Sequence, residues 1–530
     1  MKQLRFYNSL GNQLQDFESI DQKSIRYYHC GPTPYDYAHI GNFRSFLFAD
    51  TLIRALRFAD YSVEAVINIT DIEDKLIVKA KAELDLRKTS DTPGLPPEDS
   101  EVLLSDGSDA DASVTALKSR LDFGGDSGDA RILCKSSELS EDATDQELLD
   151  QVKQIARRYA EIFFDDLDKL NIKRSDFDHI VWATDHIAAM QTMILGLLDR
   201  KLAYPGIDGI YFDIKAYIGQ GHKYGQLVEL DLSKLMPSVI EDEYDKENVA
   251  DFALWKFQVD NEPAWDFILG NGINLRGRPG WHIECSAMST EYLGNYFDLH
   301  TGGEDLKFPH HENEIAQCQG RQAQYYLHNA MLMVEGQKMS KSLGNVLKLA
   351  DLEDPIAFRH QVLSTHYRSI MDFSYSSHQA SIQALQNMRT KYSKVLYANR
   401  EQINSRTIDI NSVLDQKTLE EFYRDFREAI YDDLATPRAL ASLSKLVKSE
   451  SLDPSILEAM SWADQVLGLN LATEYQAFDL AEIKLIDQRN DARVKQDYQT
   501  SDRVKSSLLD QYRIDSVDLG QEVSLYYRLS

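Results

Sequence analysis

A strand, a Gly/Pro-rich turn, a helix and a second strand follow one another within residues 26–80, and this pattern constrains the fold most. Arg26–Cys30 is a short β-like run, and the turn GPTPYDYAHIGN follows it. Apolar residues recur at helical spacing over Phe43–Phe58, and Tyr61–Ile69 is a β-branched strand. This order predicts a parallel sheet with a crossover helix, whose ligands bind at the carboxyl ends of the strands.

Length and composition limit the class of protein. The 530 residues exceed what one hydrophobic core usually holds, so we expect roughly two to four domains. Apolar residues make up 43% of the chain, which is typical of a globular enzyme. The sequence contains no apolar run of about 18 residues and no secretion signal at its N-terminus. We therefore expect a cytoplasmic protein with no membrane partner.

The chain is acidic, with a formal net charge of −28. Residues 91–150 carry 16 Asp and Glu against 4 Lys and Arg, and Ser, Gly and Pro are frequent there. We predict an acidic, flexible insertion over residues 86–148. Because phosphates repel an acidic surface, a nucleic acid could bind only along a local basic track, with strong dependence on salt.

The later parts of the chain differ in their periodicity. Residues 202–265 read as a separate β-rich module, whereas 376–470 show helical spacing with Leu, Ile and Ala stripes. Leu480–Gln511 reads as one more helix, followed by short β-like pieces. There is no internal repeat.

Four cysteines are too few for a disulfide framework, so a functional cysteine is a candidate metal ligand or nucleophile. In FPHHENE, Pro309 suits the first turn of a helix, which places His310 and Glu314 on one helical face. Cys285, in GRPGWHIECSAMS, and Cys30, at the end of the first strand, can add sulfur. Two thiolates, one imidazole and one carboxylate suit zinc.

The residues alone leave other interpretations open. A buried cysteine is more often a small core residue. A His–Glu pair at helical spacing is often a surface contact. The sequence has no CxxC pair, so an ordinary structural zinc site is not indicated. A carboxylate in the set points instead to a metal with a working role.

Two further segments suit phosphate binding. In the turn after the first strand, Gly41 allows close approach of the backbone to a nucleotide, and His39 and Asn42 can donate to phosphate oxygens near a helix N-terminus. In KMSKS, Lys338 and Lys341 can neutralise pyrophosphate as it leaves. Each segment has an ordinary alternative, because many strand–helix turns contain His and Gly, and many basic loops are simply solvated.

Together, the HIGN turn, the KMSKS loop, GRPGWHIECSAM and FPHHENEIAQ resemble class I aminoacyl-tRNA synthetases, specifically the cysteinyl-tRNA synthetase family. NITDIEDKLI at 68–77, DFALWK at 251–256 and HYRS at 366–369 are similar to further landmarks of that family. The resemblance covers nearly all of residues 1–85 and 150–375, and it is weaker beyond.

The resemblance implies an α/β fold, with a Rossmann-type parallel-sheet catalytic domain and a connective insertion, followed by a helical bundle and a small C-terminal α/β domain. The implied domains are 1–85 with 149–201 for the first half of the catalytic domain, 86–148 for the acidic insertion, 202–265 for the connective insertion, 266–345 for the second half of the catalytic domain, 346–385 for the stem, 386–475 for the bundle and 476–530 for the anticodon-binding domain.

The resemblance also implies an activity: ATP-dependent activation of L-cysteine and its transfer to tRNA(Cys), with one zinc ion holding the substrate thiolate and Mg²⁺ accompanying ATP. A monomer fits the family. The implied residues are Cys30, Cys285, His310 and Glu314 for zinc, Thr70 and Trp281 for cysteine, Gly31, His39, Gly41, Asn42 and Lys341 for ATP, and His39, Asn42, Lys338 and Lys341 for catalysis.

Three departures from the family pattern matter. Asn42 stands where the family's first signature often ends in His, and an amide donates a hydrogen bond but carries no charge. Residues 86–148 look like an insertion relative to the compact pattern. The C-terminal segment YRIDSVDLGQEVSLYYR only loosely resembles the family's usual ending, so the sequence does not assign the residues that contact the anticodon.

The implied zinc ion would solve a selection problem. Cysteine and serine are nearly the same size, so an apolar pocket separates them poorly, whereas a metal binds thiolate far better than a hydroxyl. Two alternative interpretations remain: a ligase that passes cysteine to a small amine, and a catalytically inactive paralogue that binds RNA. The long region 376–530 argues against the first, and the intact KMSKS and ligand motifs argue against the second.

Overall fold

The structure is a computed structural model that describes residues 3–89, 143–230, 251–259, 262–270, 272–340, 343–399, 416–471, 480–512, 514–518 and 524–528. Most of the predicted acidic insertion lies outside the described residues. Its two ends are helical, because one helix continues to Thr89 and the next begins at Ala143.

The strands, numbered in chain order, are β1 (Arg5–Asn8), β2 (Gln13–Asp16), β3 (Ser24–His29), β4 (Ser62–Ile69), β5 (His179–Trp182), β6 (Ala203–Pro205), β7 (Gly209–Phe212), β8 (Phe252–Phe257), β9 (Gly277–Pro279), β10 (Phe297–Gly303), β11 (Ala323–Asn329), β12 (Leu332–Val334), β13 (Gln337–Lys338), β14 (Met371–Phe373), β15 (Ile514–Asp518) and β16 (Ser524–Arg528).

The α-helices are α1 (Ile40–Phe58), α2 (Asp74–Thr89), α3 (Ala143–Lys169), α4 (Ile187–Asp199), α5 (Ile214–Gly219), α6 (Trp281–Leu293), α7 (His310–Gln317), α8 (Pro355–Leu363), α9 (Tyr375–Ala398), α10 (Gln416–Tyr431), α11 (Thr436–Lys448), α12 (Ser455–Leu467), α13 (Leu480–Val494) and α14 (Tyr498–Tyr512).

A five-stranded parallel sheet lies at the centre, in the order β11-β10-β3-β4-β5. Successive side chains of a strand point to opposite faces, so Tyr27 joins one hydrophobic core and Tyr28 the other. Because both faces are covered, β4 reads as the almost continuous apolar run AVINI. The predicted α/β class with a parallel central sheet is confirmed.

Helix α1 is the crossover between β3 and β4. It begins at Ile40, ahead of the predicted start at Phe43, because the side chain of His39 caps it. At its other end the Phe58 ring lies 4.7 Å, between centroids, from the ring of Trp462 in α12. One helix therefore connects the turn after β3 to the helical C-terminal region.

A buried arginine strengthens this connection. Arg359 of α8 donates to the Leu467 carbonyl at 2.6 Å and to the Leu170 carbonyl at 3.0 Å, and it pairs with Asp50 of α1. Its guanidinium thus satisfies the ends of two helices and a carboxylate on a third. A charged group that is fully buried is stable only with such partners.

Strands β6, β7, β8 and β9 form a second, antiparallel sheet. Its first three strands lie within the predicted connective insertion, and β9 extends it past residue 265. Near the C-terminus, β15 pairs with β16 in antiparallel orientation, and Ile514 of β15 packs against α14. No helix in the described ranges is both long and apolar enough to cross a membrane.

One prediction for this C-terminal part is wrong. The single helix expected over Leu480–Gln511 is two helices, α13 and α14. The chain turns at Gln496, whose φ is 58°, and Asp497 then caps α14 by accepting the Thr500 N–H at 3.1 Å. Helical periodicity alone does not reveal such a break, because both segments keep an apolar face.

Candidate active site

Three elements at the carboxyl edge of the central sheet carry the four predicted metal ligands. Cys30 directly follows β3, and its N–H donates to the Thr301 carbonyl of β10 at 3.2 Å. Cys285 lies in α6, while His310 and Glu314 lie one helical turn apart in α7. All four side chains are buried. The fold thus brings together residues separated by up to 284 positions.

The donor atoms of these side chains lie within 4.8 Å of one another. Cys30 Sγ is 3.9 Å from both Cys285 Sγ and Glu314 Oε1. His310 Nε2 is 3.4 Å from Cys285 Sγ and 3.2 Å from Glu314 Oε1. In a tetrahedral zinc site with bonds of ~2.0–2.3 Å, donor atoms are about 3.3–3.8 Å apart. Both the donor set and its spacing fit zinc.

Burial controls the protonation of this group. It raises the pKa of the Cys30 thiol, with a further contribution from Cys285, and it also raises the pKa of Cys285. It lowers the pKa of His310 to about 3, so the imidazole is neutral and offers a lone pair. Two thiolates are stable in such a pocket only beside a cation, which a metal would provide.

Side chains behind the ligands fix their orientation. His282 Nδ1 lies 2.9 Å from His310 Nδ1, which leaves His310 Nε2 on the side of the thiols. His300 Nε2 and Gln322 Nε2 each lie 2.9 Å from Glu314 Oε2. Such partners hold metal ligands in one tautomer and one rotamer. His282, His300 and Gln322 were not predicted from the sequence, although WHIEC and HTGGED place both histidines near the edge of the sheet.

A second group of potential ligands overlaps the first. His300 and His311 also lie with Cys30 and Glu314 inside the 4.8 Å limit, and His311 Nε2 is 3.3 Å from Cys30 Sγ. The other ring nitrogen of His311 lies 2.8 Å from His328 Nε2. Zinc favours the set that contains two thiols. The pair of adjacent histidines in FPHHEN is the sequence feature that could have identified His311 as a potential ligand.

Thr70 and Trp281, predicted to line a cysteine pocket, both lie beside this group. Trp281 begins α6, and its ring centroid is 4.3 Å from that of His310. Thr70 follows β4, and its hydroxyl donates to Glu284 Oε2 at 3.0 Å. Glu284 directly precedes Cys285 in α6. Trp281 is only partly buried, unlike the four donor side chains.

Gly31 has a packing role that the sequence did not suggest. A Cβ there would lie 1.6 Å from the Asn68 carbonyl oxygen, and the Gly31 N–H donates to Asn68 Oδ1 at 2.7 Å. Only glycine fits, because the end of β4 lies directly against this turn. The expected contact between Gly31 and ATP stays a prediction.

The predicted nucleotide turn lies at the N-terminus of α1. His39 is the N-cap, with Nδ1 accepting the Asn42 N–H at 3.2 Å, and Asn42 Oδ1 accepts the His39 N–H at 3.0 Å. A Cβ on Gly41 would lie 2.7 Å from Met339 Cε and 3.0 Å from the His39 ring. Glycine at this position therefore lets the KMSKS segment touch the turn.

An asparagine side chain shapes the KMSKS segment. Asn345 Oδ1 accepts the Ser340 N–H at 2.8 Å, and Asn345 Nδ2 donates to the Lys338 carbonyl at 3.2 Å. The Lys338 side chain is exposed. Lys341 lies outside the described residues, so its phosphate contact stays a prediction.

Comparison with known proteins defines the class first. Residues 16–383 match the family model described as the tRNA synthetases class I (C) catalytic domain. The fold resembles that of Mycobacterium tuberculosis methionyl-tRNA synthetase, with a TM-score of 0.51 at 13% identity over 84% of this chain and 90% of that chain. Fold and sequence together define a class I tRNA synthetase.

Curated relatives narrow the assignment. A cysteine–tRNA ligase of Brachyspira hyodysenteriae is 33% identical over 96% of each chain. A cysteine–tRNA ligase of Methanococcus maripaludis is 31% identical over 95% of each chain. This chain belongs to the cysteine–tRNA ligase family, as the motif resemblance predicted.

Proposed function

We propose that this protein activates L-cysteine with ATP and transfers it to tRNA(Cys), releasing AMP and pyrophosphate. The observation that carries the proposal is the buried group of Cys30, Cys285, His310 and Glu314 beside the partly exposed Trp281. A soft donor set beside a partly exposed aromatic side chain suits a site that binds a small thiol substrate. Membership of the family supports the same reaction.

The four side chains would hold one zinc ion. When bound there, zinc supplies strong affinity for a thiolate and little for a hydroxyl, which favours cysteine over serine. His310 presents a neutral imidazole whose direction His282 fixes from the far side of the ring. Cys30 and Cys285 present sulfur from separate elements. Discrimination between cysteine and serine is then complete when the amino acid binds, and no separate editing site is needed.

The turn before α1 and the KMSKS segment would bind ATP as its Mg²⁺ complex. The N-terminus of α1 offers the positive end of the helix dipole to phosphate, and His39 can add a ring donor. Lys338 and Lys341 would stabilise charge on the departing pyrophosphate. Attack of the cysteine carboxylate on the α-phosphate needs positioning and charge stabilisation rather than a covalent enzyme group.

Transfer of the cysteinyl group to tRNA would use the regions after the catalytic domain. We assign tRNA contacts to the stem (346–385), the bundle (386–475) and the C-terminal domain (476–530). Helix α11 supports this, since it ends with Lys445 and Lys448 on an otherwise acidic chain. The protein would act as a monomer, as the family resemblance implies, and in the cytoplasm, where the few cysteines of this chain would stay reduced.

Metal content and cysteine-dependent pyrophosphate exchange test the proposal. The purified protein should contain one zinc per chain, exchange pyrophosphate with cysteine and charge tRNA(Cys). Cys285→Ala and His310→Ala should lose zinc and exchange together. Cys318→Ala is the matched control, because Cys318 is a free thiol outside the donor set, and it should keep both.

Three results would contradict the proposal in different ways. Exchange that survives in metal-free Cys285→Ala protein would show that no metal reads the sulfur. Exchange without any charging of tRNA would indicate a ligase for a small amine. Absence of exchange in the zinc-loaded wild-type protein would indicate a catalytically inactive RNA-binding paralogue.

A further inference from the structure

Two reciprocal hydrogen bonds join His39 and Asn42 at the start of α1. The Asn42 N–H is shared between the His39 carbonyl at 2.9 Å and His39 Nδ1 at 3.2 Å, and the His39 N–H donates to Asn42 Oδ1 at 3.0 Å. The pair forms a capping box, with Asn42 at the third position of the helix. Asn42 is thus part of the local structure that holds His39.

The two bonds also define the tautomer of the His39 ring and the orientation of the Asn42 side-chain amide. Each donor is a main-chain N–H, so each partner atom must accept. His39 Nδ1 therefore carries a lone pair, and the proton of the neutral ring lies on Nε2. For the same reason, the Asn42 atom that faces His39 is the carbonyl oxygen rather than the amide nitrogen.

Adjacent segments of the main chain hold His39 in this position. A Cβ on Gly41 would lie 3.0 Å from both Cε1 and Nδ1 of His39, so the ring packs directly against the glycine. The Ile40 N–H donates to the Leu347 carbonyl at 2.9 Å, and the main chain of His39 pairs with that of Lys348. The capping box therefore lies on a backbone that is already anchored to the segment after KMSKS.

We propose that Asn42 is a positioning residue that acts on ATP binding through His39, which it fixes as an Nε2–H donor to ATP. The proposal rests on the proposed function, because it assigns roles within the ATP site. It also accounts for asparagine at this position, since an amide oxygen can reach back to the N-cap N–H as Glu or Gln does in other capping boxes.

A double-mutant cycle separates the two possible roles of Asn42. Asn42→Ala removes the bond to the His39 N–H, whereas His39→Asn keeps an N-cap acceptor and removes the ring donor. The measured quantity is the KM for ATP in cysteine-dependent pyrophosphate exchange at saturating cysteine. Asn42→Ala should raise this KM about five- to tenfold in the wild-type background, and less than about twofold in the His39→Asn background.

The opposite pattern would overturn the proposal. An equal rise of the ATP KM in both backgrounds would show that Asn42 contacts ATP independently of His39. Asn42→Gln should restore most of the ATP affinity, because Gln is a usual capping-box partner. A KM as high as that of Asn42→Ala in this rescue variant would also count against it. The KM for cysteine should stay constant throughout.

Arg57→Ala is the control for general weakening of the helix. Arg57 lies in the last turn of α1, where it contacts Asp176 at 3.5 Å, far along the helix from His39. This variant should leave the ATP KM unchanged. A rise comparable to that of Asn42→Ala would show that loosening of α1 explains the effect, which would overturn a specific role for Asn42.

The ¹⁵N shifts of the His39 ring, assigned by comparison with His39→Asn, test the tautomer without requiring activity. A protonated Nε2 and an unprotonated Nδ1 that accepts a hydrogen bond are expected, and a proton on Nδ1 would overturn the proposal. Absence of cysteine-dependent exchange in the wild-type protein would refute the proposed function, while the ring shifts still report the capping box. The two failures are therefore distinguishable.

Discussion

The two ends of the proposed active site are built in different ways. At the cysteine end, the donor atoms of Cys30, Cys285, His310 and Glu314 are buried, and they come from separate elements of the catalytic core. At the nucleotide end, the side chains of Asn42, at the start of α1, and Lys338, at the end of β13, are exposed. The difference lies in which part of the chain does the positioning: a packed core at one end and capped surface turns at the other.

This contrast matches what each end must do. Reading a single sulfur atom requires donors held to within a fraction of an ångström, and a close-packed core provides that. A triphosphate is large and hydrated and must leave as pyrophosphate, which suits surface turns. Substitutions at the nucleotide end should therefore change the use of ATP alone, whereas those at the cysteine end should change cysteine binding or folding.

Lys341→Ala should have the largest effect on catalysis. Loss of one cation opposite the leaving group should slow adenylate formation about 10²–10³-fold, by analogy with the removal of one transition-state donor. The affinity for cysteine should change less than about twofold, because cysteine is held at the other end of the site. Single-turnover adenylate formation and cysteine titration measure the two quantities. A tenfold loss of cysteine affinity would break the proposed separation of the two ends.

Gly31→Ala should lower the free energy of unfolding by about 3 kcal/mol, since the new Cβ would displace the backbone at Asn68. Gly219→Ala is the control, because the space around Gly219 is open, and it should be neutral or stabilising by up to ~1 kcal/mol. Urea unfolding measures both. Unchanged stability with weaker ATP binding in Gly31→Ala would place Gly31 at the nucleotide end instead.

His282→Ala should raise the KM for cysteine about 10–100-fold and leave the KM for ATP almost unchanged, because His282 orients the His310 ring. Steady-state pyrophosphate exchange gives both constants. His179→Ala alters a half-exposed histidine that pairs with Glu64, and it should change neither. An unchanged cysteine KM in His282→Ala would mean that packing against Trp281 alone orients His310.

His360, which lies at neither end of the active site, should make the stability of the protein sensitive to acid. Burial lowers the pKa of His360 from 6.5 to about 4, so between these values the unfolded chain binds more protons than the folded one. Stability should therefore fall as the pH drops through this window, by about 1.4 kcal/mol per unit for this group. His360→Gln should show a correspondingly shallower loss in urea unfolding at pH 7, 6 and 5. Parallel curves would show that His360 titrates normally.

The sequence predicted the donor set better than its surroundings. Cys30 was identifiable because a residue directly after a parallel strand lies at the functional edge, and the spacing of His310 and Glu314 was already helical. The roles of His282 and Gln322 were not identifiable, because they depend on which ring nitrogen or carboxylate oxygen faces which neighbour. Packing between distant elements sets that geometry, and linear spacing does not record it.

The nucleotide turn shows the same limit in another form. The sequence assigned His39 and Asn42 to phosphate because both carry donors. The structure uses one nitrogen of His39 and the oxygen of Asn42 to cap α1. Residue type restricts what a side chain can donate or accept, but the local backbone decides which of its atoms remain available.

The wide spacing of the donor residues has a consequence for biosynthesis. Glu314 follows Cys30 by 284 positions. At about 5–20 residues per second, a ribosome needs roughly 15–60 s to add the intervening chain. A nascent polypeptide therefore exposes isolated thiols well before it can chelate an ion with the full set. Capture of the proposed zinc ion by all four side chains would therefore follow synthesis of Glu314, and it would not contribute to the earliest stages of folding.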